Sequence, residues 1–226
     1  MNRKQDIERF YTILRALRRR QGIRKLSESH GRMNWPRRGV YFFFEEGEFR
    51  ENGQDLRVVR VGTHAVSTGS RTTLWSRLRG HKGTNTGGGN HRGSIFRLHV
   101  GSALIKRGDF ECPTWGRGSF ANQEVRALEH SLEVKVTQVI GAMPFVWVEA
   151  DDSSGSHSIR AYLERNAIAL LSNVDKEPID PVTKDWLGLD ADRAVIGKAG
   201  LWNVNHVGEP YDSGFIEFFE KIVQAS

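Results

Sequence analysis

The sequence predicts a mixed α/β domain of the α+β type, a small and mainly antiparallel sheet flanked by helices. Three observations predict it. Short runs rich in β-branched and aromatic residues stand at 38–45, 56–62 and 145–150. Longer stretches between and around them carry apolar residues at helical spacing. The first two runs are separated only by the turn signals Glu46-Gly47 and Glu51-Asn52-Gly53, so they read as a hairpin or meander. A length of 226 residues suits one domain, or one domain with an appendage, and 38% apolar residues suffice for a core without disulfide staples.

Residues 5–20 place Ile7, Phe10, Tyr11, Ile13, Leu14 and Leu17 at helical spacing and close on Arg18, Arg19 and Arg20, cations that suit a helix C-terminus. GVYFFFE is a buried strand and LRVVRVG its partner. Thr72 to Lys82 is a helix with a threonine near its cap position. The glycine-rich GTNTGGGNHRG at 83–93 is a loop. Residues 94–107 read equally as a short helix or as a strand followed by a helix. Asn122 to Glu133 is helical, and Phe145 to Ala150 is a strand. Ser158 to Leu171 has the clearest helical pattern, with Ser154 or Ser156 as its cap. The remainder is loop-rich and closes with the apolar helix GFIEFFEKIV.

Composition excludes several classes. The single cysteine, Cys112, permits no internal disulfide and no multi-cysteine metal cage, and it suits a reducing compartment. No apolar run reaches the ~20 residues of a membrane span, and the basic N-terminus has no apolar signal core, so a soluble, cytoplasmic protein without membrane association is expected. Phosphate-loop, dinucleotide and G-x-S-x-G signatures are absent. His81, His91 and His99 are too irregularly spaced for a zinc pair on one helix face. Charge is polarised: residues 1–40 carry net +9, residues 41–149 net +3 and residues 150–226 net −6. A basic front raises local polyanion concentration and lends phosphate affinity. Residues 1–38 are therefore expected to touch nucleic acid or a second subunit, and deleting 1–25 to weaken DNA binding and flatten its salt dependence.

Five short segments then stand out in order. Gly39-Val40-Tyr41 opens the first strand and Arg60-Val61-Gly62 closes the second. Arg77-Leu78-Arg79-Gly80-His81 puts Arg77 and His81 on one helix face. Leu163-Glu164-Arg165-Asn166 puts a carboxylate among apolar neighbours, and Asn173 follows. Together they resemble the GIY-YIG nuclease superfamily: the first triplet, the second triplet, the arginine helix with its histidine four residues on, the metal-binding glutamate helix and the asparagine after it. The chain departs from the pattern at Arg60, where tyrosine is usual and some restriction-type members carry a basic residue, and in a longer stretch before the third strand.

The resemblance implies a basic N-terminal helical segment at 1–36, a nuclease core at 37–175 with an inserted subdomain at about 83–140, and a C-terminal extension at 176–226. It implies a metal-dependent endonuclease of restriction or defence type, acting on DNA rather than RNA and using Mg²⁺ or Mn²⁺. The alternatives are a catalytically weak nucleic-acid-binding module of the same fold and a ribonuclease; a homodimer is a further possible assembly. The residue types fit phosphodiester hydrolysis. One carboxylate, Glu164, anchors a hydrated cation that keeps several waters. A phenol, Tyr41, accepts a water proton when a cation such as Arg60 stands beside it. Arg77 is a permanent planar cation for a phosphoryl oxygen, and His81 could exchange a proton near neutral pH. Arg18, Arg19, Arg20, Arg79, Lys82 and Asn173 are expected to contact nucleic acid. The element order predicts Tyr41 and Arg60 on the sheet, with Arg77 and Glu164 facing it from helices.

Overall fold

The computed structural model describes residues 2–150 and 152–225. Four strands form one sheet: β1 (Arg24–Lys25), β2 (Gly39–Phe49), β3 (Leu56–Gly62) and β4 (Pro144–Glu149). Their order is β1-β4-β2-β3 and each neighbouring pair is antiparallel. The helices are α1 (Arg3–Gln21), α2 (Leu74–Lys82), α3 (Ile95–Arg107), α4 (Gln123–Ala142), α5 (Ile159–Leu171), α6 (Ala194–Ala199) and α7 (Phe215–Ala225). Among the described residues, no helix is long and apolar enough to cross a membrane.

Both faces of the sheet are covered, which is why β2 reads as a continuous apolar run rather than an alternating one. Val40, Phe42 and Phe44 point to a core shared with α1, α5 and α7, including Phe10, Leu14, Leu163, Ile168 and Phe219. Tyr41 and Phe43 point the other way, into a core built with Leu78, Phe96, Val100, Leu132, Val136 and Trp202. The apolar face of α1 is thus covered by the chain's own sheet and by α7: Phe10 stacks on Phe219 at 5.1 Å and meets Phe42 edge-on at 5.7 Å.

Helices α1 to α5 each start after a polar cap. Asn2, Thr73, Ser94, Asn122 and Ser158 each accept a backbone N–H from the first turn. The cap of α5 is Ser158, not Ser154 or Ser156, because it directly precedes the first helical residue and its oxygen reaches Ala161 N. Residues 94–107 resolve into a single helix, α3, begun by Ser94. Helix α4 runs nine residues past Glu133, through the β-branched stretch VKVTQVIGA. Burial of Val136 and Ile140 in the second core, beside α2 and α3, outweighs the weak helix propensity of that stretch.

The C-terminal segment closes the sheet. Strand β3 is an edge strand, and Trp202 N donates to Val59 O at 2.7 Å. The Asn203 amide makes two bonds to Val61, accepting from its N–H at 3.1 Å and donating to its carbonyl at 2.8 Å. A side chain thereby takes the place of a fifth strand, and the edge is no longer open to pairing.

Candidate active site

Sheet register brings the two triplets together. Tyr41 pairs with Gly62, Phe42 with Val61 and Phe43 with Arg60, while Phe44 pairs with Val58. Val59 is therefore an extra residue, a bulge that turns Val59 and Arg60 to the same side as Phe43. Arg60 and Tyr41 become diagonal neighbours on one face. The glycine of the second triplet has a steric reason: a Cβ on Gly62 would overlap the Tyr41 phenol. Gly39 has another, since a Cβ there would stand 2.6 Å from Val148 O in β4.

Helix α2 lies over this face with Arg77 and His81 one turn apart. His81 Nε2 and Tyr41 Oη are 2.8 Å apart, and His81 Nδ1 lies 2.8 Å from Ser94 Oγ. Tyr41 and His81 have no solvent exposure and Ser94 almost none. Burial holds His81 well below the usual histidine range, and Arg77, Arg60 and Arg97 add to that. The imidazole is therefore neutral, and it does not exchange a proton near neutral pH as the sequence suggests. The neutral ring donates from one nitrogen and accepts at the other, and so bridges the Tyr41 and Ser94 hydroxyls. Ser94 Oγ already accepts Arg97 N–H at 3.3 Å as the α3 cap. Its hydroxyl proton finds an acceptor if it is donated to His81 Nδ1. In that tautomer Nε2 carries the ring proton and donates it to Tyr41 Oη; in the other, Tyr41 donates to Nε2 and Nδ1–H donates to Ser94 Oγ.

Arg60 is buried against the face of Phe96, 4.6 Å from the ring centroid, and donates to Trp202 O at 2.5 Å. Burial pulls its pKa down, the pull of Tyr41 opposes this, Arg77 lowers it further and Glu164 raises it. The four groups are thus electrostatic neighbours. Glu164 is half-buried and reaches from α5 past the end of β3, where its Oε1 accepts Thr63 N–H at 3.1 Å. Close packing pushes its carboxyl above the ordinary carboxylate range, against Arg60, the Thr63 N–H, His206 and Arg77. Two buried guanidinium N–H groups, Arg60 Nε and Arg77 Nε, have no hydrogen-bond acceptor. Buried donors without partners are costly.

A divalent cation fits this donor set in one way. Among the described residues no cluster of three or more His, Cys, Asp or Glu could hold an ion. A single carboxylate with one oxygen committed to a backbone N–H suits a cation that keeps most of its waters and shares a substrate phosphate.

The remaining expected contacts divide. Asn173 lies nine residues beyond Glu164 on the same chain, about 13 Å along a helix rise. Its amide is bound inside the molecule, accepting from Arg3 at 2.9 Å and from Ile179 N at 3.0 Å and donating to Ile179 O at 3.1 Å. It orders the turn that follows α5. Arg18 covers the Phe44 ring at 5.1 Å and Arg20 donates to Val223 O at 2.5 Å, whereas Arg19 is exposed. Arg79 is exposed and Lys82 half-buried, both on α2.

Sequence reasoning missed three residues. Ser94 bears on His81, Asn203 closes β3, and His206, held at 2.8 Å from Glu209 with a positive φ of 65°, lies near Glu164. The cap position of Ser94 was legible as a serine before an apolar run; its second bond to His81 was not.

A sequence model described as GIY-YIG domain matches residues 1–226, the full length. No curated protein and no solved structure matches the chain.

Proposed function

Because the chain belongs to the GIY-YIG domain family, nucleases that act on nucleic acid and generally use divalent metal ions, we propose that it is an Mg²⁺- or Mn²⁺-dependent endonuclease hydrolysing phosphodiester bonds in DNA. The observation that carries the reading is the pair of acceptor-free guanidinium N–H groups of Arg60 and Arg77 beside Tyr41 and Glu164. In this reading the two guanidiniums bind the scissile phosphate and stabilise charge that grows in the transition state. Tyr41, with His81 and Arg60 beside it, is the base that takes the proton of the attacking water. Arg60 thereby supplies the positive charge where the family usually has a tyrosine. Glu164 would hold the cation, which when bound supplies Lewis-acid polarisation of the phosphate.

The test uses supercoiled plasmid with Mg²⁺, and separately with EDTA, on wild type and on Glu164→Gln. Cleavage is expected to need the cation and to fall by about 100-fold or more in the variant, while duplex affinity stays within a few-fold. Cleavage that survives EDTA or Glu164→Gln would sink the role given to Glu164. One observation favours the second reading, a binding module: Tyr41 has no exposure, so water reaches the phenol only after local rearrangement. A wild-type chain that cleaves neither DNA nor RNA under any divalent cation would establish the module instead.

A further inference from the structure

On the outer side of α2 lies an open cleft of about 850 Å³, away from the face that carries Arg77 and His81. Its floor is α2 itself, through Trp75, Ser76, Arg79 and Gly80. One wall is the His30–Gly31 turn; the other is the glycine-rich loop with Arg126 at the start of α4. Every charged side chain lining it is a cation: Arg79, Lys82 and Arg126, with no Asp or Glu. The Arg79 side chain makes no hydrogen bond or ion pair among the described residues. Lys82 donates to Ser29 O at 2.5 Å and Arg126 Nε to Ala121 O at 3.1 Å, which leaves further donors on both.

Two glycines give an independent indication. Gly80 sits inside α2, where glycine is a poor helix former, and a Cβ there would meet nothing within 4 Å. Gly93, on the opposite wall, likewise has open space where its Cβ would be. Neither has a positive φ. Neither the backbone conformation nor the packing requires glycine at these positions; a surface pressed against them would.

We propose that this cleft holds the sugar–phosphate backbone of duplex nucleic acid flanking the scissile position, so that the substrate straddles α2. The proposal rests on the reading that the chain acts on nucleic acid. Residues two apart on a helix project about 200° from one another, so Arg77 and Arg79 reach opposite sides of α2. The phosphate contacted in the cleft is therefore a different one from the phosphate cleaved, set off from it by a helix about 10 Å across. Duplex is favoured over single strand because the Trp75 ring is stacked on Trp35 at 5.2 Å and 16°, an arrangement that packs the indoles together rather than offering them to an unpaired base.

The test measures binding of a labelled 30-base-pair DNA duplex by fluorescence polarisation between 50 and 200 mM KCl. It compares wild type, Gly80→Gln and the double variant Arg79→Ala/Arg126→Ala, all with Glu164→Gln to prevent cleavage. Gly80→Gln is expected to weaken binding about tenfold while its Tm is at or above the parent's, since any side chain improves helix propensity there. The double variant is expected to weaken binding at least tenfold and to flatten the salt slope by about 2. Affinity and slope within twofold of the parent in both would overturn the proposal. Cleft-dependent binding of a labelled 30-nucleotide RNA, with no binding of duplex, would overturn the choice of partner. Plasmid cleavage by wild type is scored separately: cleft-dependent binding without cleavage keeps the cleft and removes the hydrolase, and cleavage with cleft-independent binding does the reverse.

Discussion

If Ser94 donates to His81 Nδ1, it turns Nε2–H toward Tyr41, and on that reading it is a positioning residue whose two tasks can be separated. Aspartate is as good an N-cap as serine. An aspartate at 94 would only accept, so it would draw the proton to His81 Nδ1 and leave Nε2 a bare acceptor facing Tyr41. Ser94→Asp is therefore expected to fold with a Tm near wild type yet lose turnover, about 10- to 100-fold in kcat. Ser94→Thr keeps both the cap and the hydroxyl and is expected to restore most of it. The pH profile adds a readout. Burial holds the wild-type imidazole neutral well below its usual range, so no activity limb is expected near pH 6.5. On the proposed role of Glu164, whose carboxyl is raised by burial and has to be deprotonated to hold a cation, the acid limb is expected to be its own. In Ser94→Asp the new carboxylate favours the imidazolium, so a histidine limb is expected to appear nearer neutrality. An unchanged profile and rate would remove Ser94 from the mechanism.

At the scale of elements, β3 is the strand on which the site depends and also the one most exposed to loss. It carries Arg60 and Gly62, its end supplies the Thr63 N–H to Glu164, and its outer edge is satisfied by the Trp202–Asn203 segment. Asn203→Ala leaves a buried N–H and C=O of Val61 without partners. The expected loss is about 2–4 kcal/mol, from two hydrogen bonds and the desolvation of the groups left behind. Denaturant titration measures it. A loss below about 0.5 kcal/mol would mean that water replaces the amide and that the segment is only an accessory.

At the scale of the molecule, the basic N-terminal helix belongs to the core. Ile7, Phe10, Tyr11, Leu14 and Leu17 are buried against the sheet, and Tyr11 Oη accepts Val58 N–H at 2.8 Å. Each such side chain is worth about 1.5–3 kcal/mol of burial, against a whole-domain stability of about 5–15 kcal/mol. Deleting residues 1–25 is therefore expected to abolish the folded state, seen as loss of the cooperative melt. It should not yield a folded protein with weaker DNA binding. A truncated chain that melts cooperatively near the wild-type Tm would overturn this placement of α1. Arg18 and Arg20 cover Phe44 and bind Val223 O, which leaves less of that helix's charge for a partner than its sequence suggests.

By itself the sequence determined β2, β3, β4, the helices α1, α2, α5 and α7, the start of α4 and the motif order, because periodicity, turn residues and caps are local, whereas it left 94–107 open and gave no sign of β1 or α6. GVYFFFE and LRVVRVG are strands whatever lies over them, and Thr73 and Asn122 start helices through their own side chains. It also marked Tyr41, Arg60, Arg77, His81 and Glu164, since their spacing within each segment follows local geometry. Only tertiary structure decided what those groups touch. The bulge at Val59 turns Arg60 to the Tyr41 face, the α3 cap Ser94 hydrogen-bonds His81, and a C-terminal asparagine 142 residues from its partner closes β3. Long-range contacts of this kind leave no periodic trace: Asn173, next to a motif, is bound up in a turn, while Ser94 and Asn203, outside every motif, support the site.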